Sequence, residues 1–466
     1  MYRLISKVLL VSAVLVITSG CDLLRDIPVG LGHSAKSICS AVFNSGFDEE
    51  RVVEEFVAPQ VQPLPLFWKI EVDYQTKQVE VWDTVYGRNS AATAIFTQGK
   101  GCTLLTDKSR EEVESIAFEP AQAVVLDPAI PWPYGDGGMP QQTLAGVDYE
   151  RVNRAVASAF EDVHTSPINT TSVLVAHQGR LIAERYQDGV DEDTLLIGWS
   201  MTKSLVGMLA GILIDQGRLQ LDEPVPIEAW QGTEKGDITT RNLLNMASGI
   251  ENDEDYSAFS GVTQMLYLEA DQFAHALDQD LAFQPGEQFQ YSTAEANRLS
   301  AVVQQAAGGS QQAMYDFYQN QLFEPLGING GFVEFDASGN MVGGAYGHLT
   351  ARDWARLGQL YLQRGNWNGA QIISAEYVDF ATTPAPLEGF SYGAQLWLNV
   401  DGLSWQQMPH DTFYLSGHQG QLVVVIPSHE LVVVRTGITQ DDDALIDEVM
   451  TPMITEIMAS LPTTSP

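Results

Sequence analysis

The chain has 466 residues and carries 60 Asp plus Glu against 24 Lys plus Arg, a formal net charge of -36. A surface this acidic repels phosphate backbones, which excludes nucleic-acid binding driven by phosphate neutralisation. With 45% apolar and 9% aromatic residues, the chain has the side chains for a packed core, in one large domain or two.

The first residues read as an address. Arg3 and Lys7 flank the start of an apolar run, Val8 to Ile17, which ends in Thr18-Ser19-Gly20-Cys21. The run is too short to span a bilayer and has the form of a signal-peptide core. Its small-residue end resembles a bacterial lipobox, so residues 1–21 are expected to be a lipoprotein signal peptide with Cys21 the lipidated residue. Asp22 resembles an inner-membrane retention signal, which predicts a periplasmic protein held to the membrane by lipid. An ordinary cleaved signal is the alternative. In an oxidising compartment Cys39 and Cys102 are expected to form a disulfide worth roughly 3–4 kcal/mol; two buried thiols are the other option.

Residues 22–145 form an N-terminal region with strands. Lys69 to Trp82 alternates around Asp73-Tyr74-Gln75-Thr76 and predicts a β-hairpin, and Ala91 to Thr103 a further strand. The Pro- and Gly-rich stretch from Asp127 to Pro140 reads as a linker or extended loop. From residue 146 to 466 a second domain is expected. A helix over Val147–Glu161 is followed by the hairpin Thr171–Ala176 and Leu181–Tyr186. A second hairpin pairs Gln421–Ile426 with Glu430–Arg435. A last helix, capped by Asp441–Asp443, runs toward Leu461 with a kink at Pro452. Hairpins at both ends with helices between and beyond imply an α+β fold, an antiparallel sheet flanked by helices.

The chemistry centres on Ser200 and Lys203. Of eight lysines, only Lys203 and Lys235 follow Lys108. Ser200-Met201-Thr202-Lys203 heads the apolar run Leu205 to Ile214, which places Ser200 at a helix N-terminus. Residues three apart share a helix face, so the Lys203 amine reaches the Ser200 hydroxyl. Neutral lysine can accept the serine proton, and the helix dipole favours the charge that develops. Serine as a plain cap with a solvated lysine is the bland alternative. Tyr291, after the Pro285-Gly286 turn, can relay a proton to the leaving group, as a phenolate or through its hydroxyl. The eight histidines show no metal-ligand spacing, and no cofactor is expected. A nucleophile elbow fails because Thr202 replaces its second glycine.

Four motifs occur in the order seen in β-lactamase-related serine hydrolases: Ser200-Met201-Thr202-Lys203, Ile238 to Gly249, Tyr291-Ser292-Thr293 and Phe323-Glu324-Pro325-Leu326-Gly327. The resemblance covers residues 146–466. That superfamily includes class C β-lactamases, D-alanyl-D-alanine carboxypeptidases, family VIII esterases and 6-aminohexanoate-dimer hydrolase. Gly347 to Trp354 and Gly417 to Gln421 look most like the last branch. The resemblance implies a β-lactamase/transpeptidase-like fold with a helical subdomain. It also implies Ser200 as acylated nucleophile, Lys203 as base and Tyr291 as general acid/base.

The superfamily's third element, Lys-Thr-Gly, is matched best by Leu415-Ser416-Gly417. This makes the His418 N–H an oxyanion donor beside Ser200, with Ser416 and Gly417 on the substrate. Reading His418-Gln419-Gly420 as the motif would move that donor to Gln421; Arg435-Thr436-Gly437 lies too late in the order. Leu415 cannot bind a carboxylate. The expected substrate is therefore a small amide or ester, with a class C β-lactamase, a D-alanyl-D-alanine carboxypeptidase or a non-catalytic penicillin-recognising lipoprotein as alternatives. Tyr256 stands where the aminohexanoate branch places a substrate-binding tyrosine; otherwise its loop is a solvated acidic run. No protein partner can be inferred.

Overall fold

The computed structural model describes residues 25–122, 124–139, 143–161, 167–256, 259–387, 391–440 and 444–462. Cys21 and the capping run Asp441–Asp443 lie outside them. No helix among the described residues is long and apolar enough to cross a membrane.

A six-stranded antiparallel sheet organises the second part of the chain. Its order is Trp397–Leu398, Phe413–Gly417, Gln421–Ile426, Leu431–Gly437, Thr170–His177 and Arg180–Tyr186. The late hairpin thus pairs with the early one, Val433 opposite Val175. Gln421–Ile426 and Leu431–Gly437 are buried along their whole length. Unbroken β-branched runs fit this environment, because both faces of the strand are covered. Met201–Asp215 and Ala351–Leu362 cover one face, through Leu205, Leu209 and Leu357. Tyr149–Ser158 and Thr451–Met458 cover the other, through Val152, Val156 and Ile454. The α+β fold expected from the hairpins is the one observed.

The last helix differs from expectation in detail. Leu445–Met450 is a π-helical stretch and the α-helix begins only at Thr451, with Pro452 in its first turn. Pro452 has no N–H to donate, and it follows continuous helical backbone in which the Thr451 N–H reaches the Ile446 carbonyl five residues back. The described residues of the stretch from Asp127 to Pro140 do more than link: Trp132 is buried and its indole N–H donates to the Arg352 carbonyl at 3.2 Å.

The N-terminal region packs a helix over residues 25–39 against a four-stranded antiparallel meander. Trp68–Asp73 and Gln78–Asp83 form the expected hairpin, Ile70 opposite Val81. The single strand expected over Ala91–Thr103 is two, Ala92–Thr97 and Gly101–Leu105. Gly99 and Gly101, at φ of 83° and 71°, turn the chain between them. Left-handed backbone favours glycine, so this pair was the available signal.

Cys39 and Cys102 are joined by a disulfide. Beside it Glu334 accepts from Lys36, from Ser40 at 3.0 Å and from the Cys102 N–H at 2.6 Å, and lies 3.3 Å from His348. The Lys36 and His348 charges and hydrogen bonds hold the buried Glu334 carboxyl well below the usual range, against its desolvation. The N-terminal region therefore shares a core with the rest of the chain, where Ile38 and Val81 meet Met265, Leu266 and Tyr346.

Candidate active site

Ser200 caps the N-terminus of Met201–Asp215, yet its side chain makes no capping bond. A serine at this position ordinarily accepts a backbone N–H of the first turn. Here its hydroxyl instead faces Lys203, whose Nζ lies 2.8 Å from Ser200 Oγ. Trp199, just before it, sits at φ of 46°. Left-handed backbone is costly for a bulky residue, and such strain collects where a functional group must be aimed.

Lys203 is fully buried and donates to three acceptors: Ser200 Oγ, Thr293 Oγ1 at 3.1 Å and the Gly344 carbonyl at 2.7 Å. An ammonium has three N–H groups, so its charged form is satisfied. Burial lowers its pKa to about 8, against the opposing field of Glu254. When the amine loses a proton, the Gly344 carbonyl must still receive an N–H. Thr293 is constrained in the same way, through a chain of hydroxyls. Glu254 Oε1 accepts from Tyr256 at 2.7 Å, and the Tyr256 and Thr293 hydroxyls lie 2.7 Å apart. The carboxylate is acceptor-only, so Tyr256 donates to it, Thr293 donates to Tyr256 and Lys203 donates to Thr293. The free lone pair of neutral Lys203 is left for Ser200.

The dyad's pH dependence follows. Lys203 accepts a proton only when neutral, so reaction of Ser200 with a neutral phosphonate ester should rise about tenfold per pH unit below 8 and level off above it. Glu254→Gln removes the charge that holds the pKa up, and should move the midpoint of that profile lower. A midpoint that stays put or rises would contradict this electrostatic assignment.

Tyr291 is hydrogen-bonded to Ser200, and burial pushes its phenol well up. It is thus a neutral hydroxyl at pH 7, and of the two forms considered from sequence the phenolate is disfavoured. Lys203 Nζ lies 5.0 Å from its ring centroid, and Trp397 packs on it at 5.1 Å. Burial likewise raises the Tyr256 phenol well above its ordinary value, the Glu254 charge adding to the effect. The Tyr256 ring is half exposed while its hydroxyl end is held by Glu254 and Thr293.

The strand Phe413–Gly417 passes directly beside the turn that carries Gly198 and Ser200. A Cβ on Gly417 would lie 2.1 Å from the Gly198 carbonyl oxygen, so only glycine allows that approach. His418 follows it, with its Nε2 3.3 Å from Gln60 Oε1, and Trp199 Nε1 donates to Gln419 Oε1 at 3.2 Å. Leu415 is wholly within the core and brings no charge to the site.

Ser200, Tyr256, Tyr291, Ser416, Gly417 and His418 all line one cavity of about 730 Å³, with Lys203 hydrogen-bonded beneath Ser200. The residues singled out as a site from sequence are therefore brought together. Thr293 belongs to the Tyr291-Ser292-Thr293 motif, and Asn297 lies one helical turn further along Thr293–Ala307. Asn297 Oδ1 accepts the Gly344 N–H at 3.1 Å and so fixes the carbonyl that faces Lys203. Sequence reasoning missed Gly344 and Gln60, which reach the site only through tertiary packing. Other motifs prove architectural: Thr239 and Asn242 form a capping box, and Ser248 donates to Glu295 at 2.7 Å. Among the described residues no group of His, Cys, Asp and Glu could hold a metal ion.

The family model for beta-lactamase matches residues 157–443. The chain belongs to the beta-lactamase family. Among similar proteins, 6-aminohexanoate-dimer hydrolase of Paenarthrobacter ureafaciens is 26% identical over 309 residues, covering 59% of this chain and 74% of that protein. Two solved structures share the fold. A family VIII carboxylesterase superposes with a TM-score of 0.53 at 18% identity, covering 69% of this chain and 99% of its own. A penicillin-binding protein homolog from Caulobacter crescentus gives a TM-score of 0.53 at 18% identity over 70% of this chain and 99% of its own. Members of this beta-lactamase family are generally serine hydrolases.

Proposed function

We propose that the chain is a serine hydrolase that cleaves small amides or esters through an acyl-enzyme on Ser200. The observation that carries this reading is the uncapped Ser200 hydroxyl, 2.8 Å from a buried lysine whose pKa is lowered to about 8. Neutral Lys203 takes the Ser200 proton as Oγ attacks the carbonyl carbon. The oxyanion is received by the backbone N–H groups of Ser200 and His418. Collapse breaks the bond to the amine or alcohol, which leaves with the Lys203 proton relayed by Tyr291. Water then attacks the acyl-enzyme with the same groups acting in reverse, releasing the acid and restoring Ser200.

The cavity's charges favour an uncharged substrate over a carboxylate. Among its described lining residues the charged groups are Asp26 and Glu254, both acidic. Apart from Lys203, committed beneath Ser200, a β-lactam or peptide carboxylate would find no cationic partner among the described lining residues, and an unpaired buried charge costs several kcal/mol. The leader ending in Cys21 supports an envelope-anchored enzyme. The test compares kcat/KM for p-nitrophenyl butyrate with that for nitrocefin. The ester should be favoured by about 10²-fold or more; a preference for the carboxylate-bearing β-lactam would overturn the substrate assignment.

A further inference from the structure

The cavity that opens onto Ser200 is walled on one side by residues far outside the matched family segment. Ile27 and Val29 of the first helix and Val61, Leu64 and Phe67, just ahead of the first strand, line it together with Leu266. His33 closes this side without charge: its Nδ1 is 2.9 Å from the Tyr267 hydroxyl, and burial, with the neighbouring His418, lowers its pKa to about 4. The wall is anchored in three places. The Cys39–Cys102 disulfide holds the end of the helix. Lys36, Ser40 and Asn44 hold Glu334 from the same segment. Gln60 meets His418 directly.

We propose that residues 26–67 are part of the active site and bind the apolar portion of the substrate, so that this region sets a preference for amides or esters carrying an uncharged chain of several carbons. The inference rests on the hydrolase reading above. An aliphatic group against Ile27, Val61 and Phe67 removes its surface and theirs from water, worth about fourfold in kcat/KM for each methylene added until the wall is filled. A cavity of about 730 Å³ has room for such a chain beside the reacting carbonyl. Val29 and Leu64 are buried in the core that this segment shares with Leu266, whereas Ile27, Val61 and Phe67 pack on that core and stay only half-buried where they line the cavity.

The experiment uses two ester series on the full chain: p-nitrophenyl esters of C2 to C10 acids, and acetate esters of C2 to C10 alcohols. Wild type should gain about fourfold per methylene over at least three steps in one of the series. Ile27→Ser with Val61→Ser should flatten that slope, while Val61→Phe should cut off the longer members and spare the shortest. Labelling of Ser200 by a small fluorophosphonate is followed in parallel. It should still go to completion in all variants, which shows that the fold and dyad survive and keeps failure of this inference distinct from failure of the hydrolase reading. Flat series in wild type, or slopes unaltered by both variants while labelling persists, would overturn the proposal.

Discussion

Replacing Lys203 by methionine should slow acylation of Ser200 by about 10³- to 10⁴-fold, the upper range for removal of a general base. The magnitude rests on isolation. Lys203 is the amine hydrogen-bonded to Ser200, and Tyr291 is held as a neutral phenol by burial. With the lysine gone, the serine hydroxyl keeps its proton until solvent removes it. Methionine has similar length and no charge, so the core around it stays filled. The Thr293 hydroxyl and Gly344 carbonyl each lose one donor, a cost of about 1–3 kcal/mol that thermal unfolding will read separately. Lys203→Arg should be equally slow, because a guanidinium does not give up its proton near neutral pH. Single-turnover labelling that stays within tenfold of wild type in either variant would remove Lys203 from the base role.

Gly417→Ala should cost about 10²- to 10³-fold in kcat, the loss expected when one oxyanion donor is misplaced. The added methyl would sit 2.1 Å from the Gly198 carbonyl oxygen, and its other near neighbours, Gln421 Cβ and the Gly198 carbonyl carbon, are not flexible side-chain ends either. The strand end and the turn that carries Gly198 and Ser200 must therefore move apart, which on the proposed mechanism displaces the His418 N–H from the oxyanion. Overpacking of this kind costs about 1–3 kcal/mol of stability as well. KM should change less than kcat, because the oxyanion forms only in the transition state. A variant that loses binding and keeps kcat would instead make Gly417 a substrate-contact residue alone.

The parts of the site that lie close in sequence were legible there. Ser200 and Lys203 are one helical turn apart, and a scarce lysine at the head of an apolar helix carries its own signal. Tyr291 and Gly417 followed from motif order. The hairpins Thr170–His177 with Arg180–Tyr186 and Gln421–Ile426 with Leu431–Gly437 were marked by β-branched runs around short polar turns. What tied them into one sheet, the pairing of Leu431–Gly437 with Thr170–His177, is a contact across some 260 residues that no local pattern records.

The hydroxyl chain from Lys203 to Glu254 was hidden for the same reason: it joins three elements, and direction passes along it only once each donor is counted. Tyr256 was named for its position, not for its bond to Thr293. The N-terminal region gave strands and a cysteine pair but no hint that Gln60 would touch His418. Short-range errors had local causes. Gly99 and Gly101 split one expected strand in two, and a π-helical stretch before Thr451 absorbed Pro452 into a first turn.

The proposed hydrolase chemistry depends on Ser200 acting as a nucleophile, and intact-mass spectrometry tests that most directly. Incubation with a fluorophosphonate at pH 8 should add one phosphonyl group to the chain, located to Ser200 by peptide mapping and absent from Ser200→Ala. An unmodified wild-type chain, or an adduct that persists in Ser200→Ala, would contradict the account.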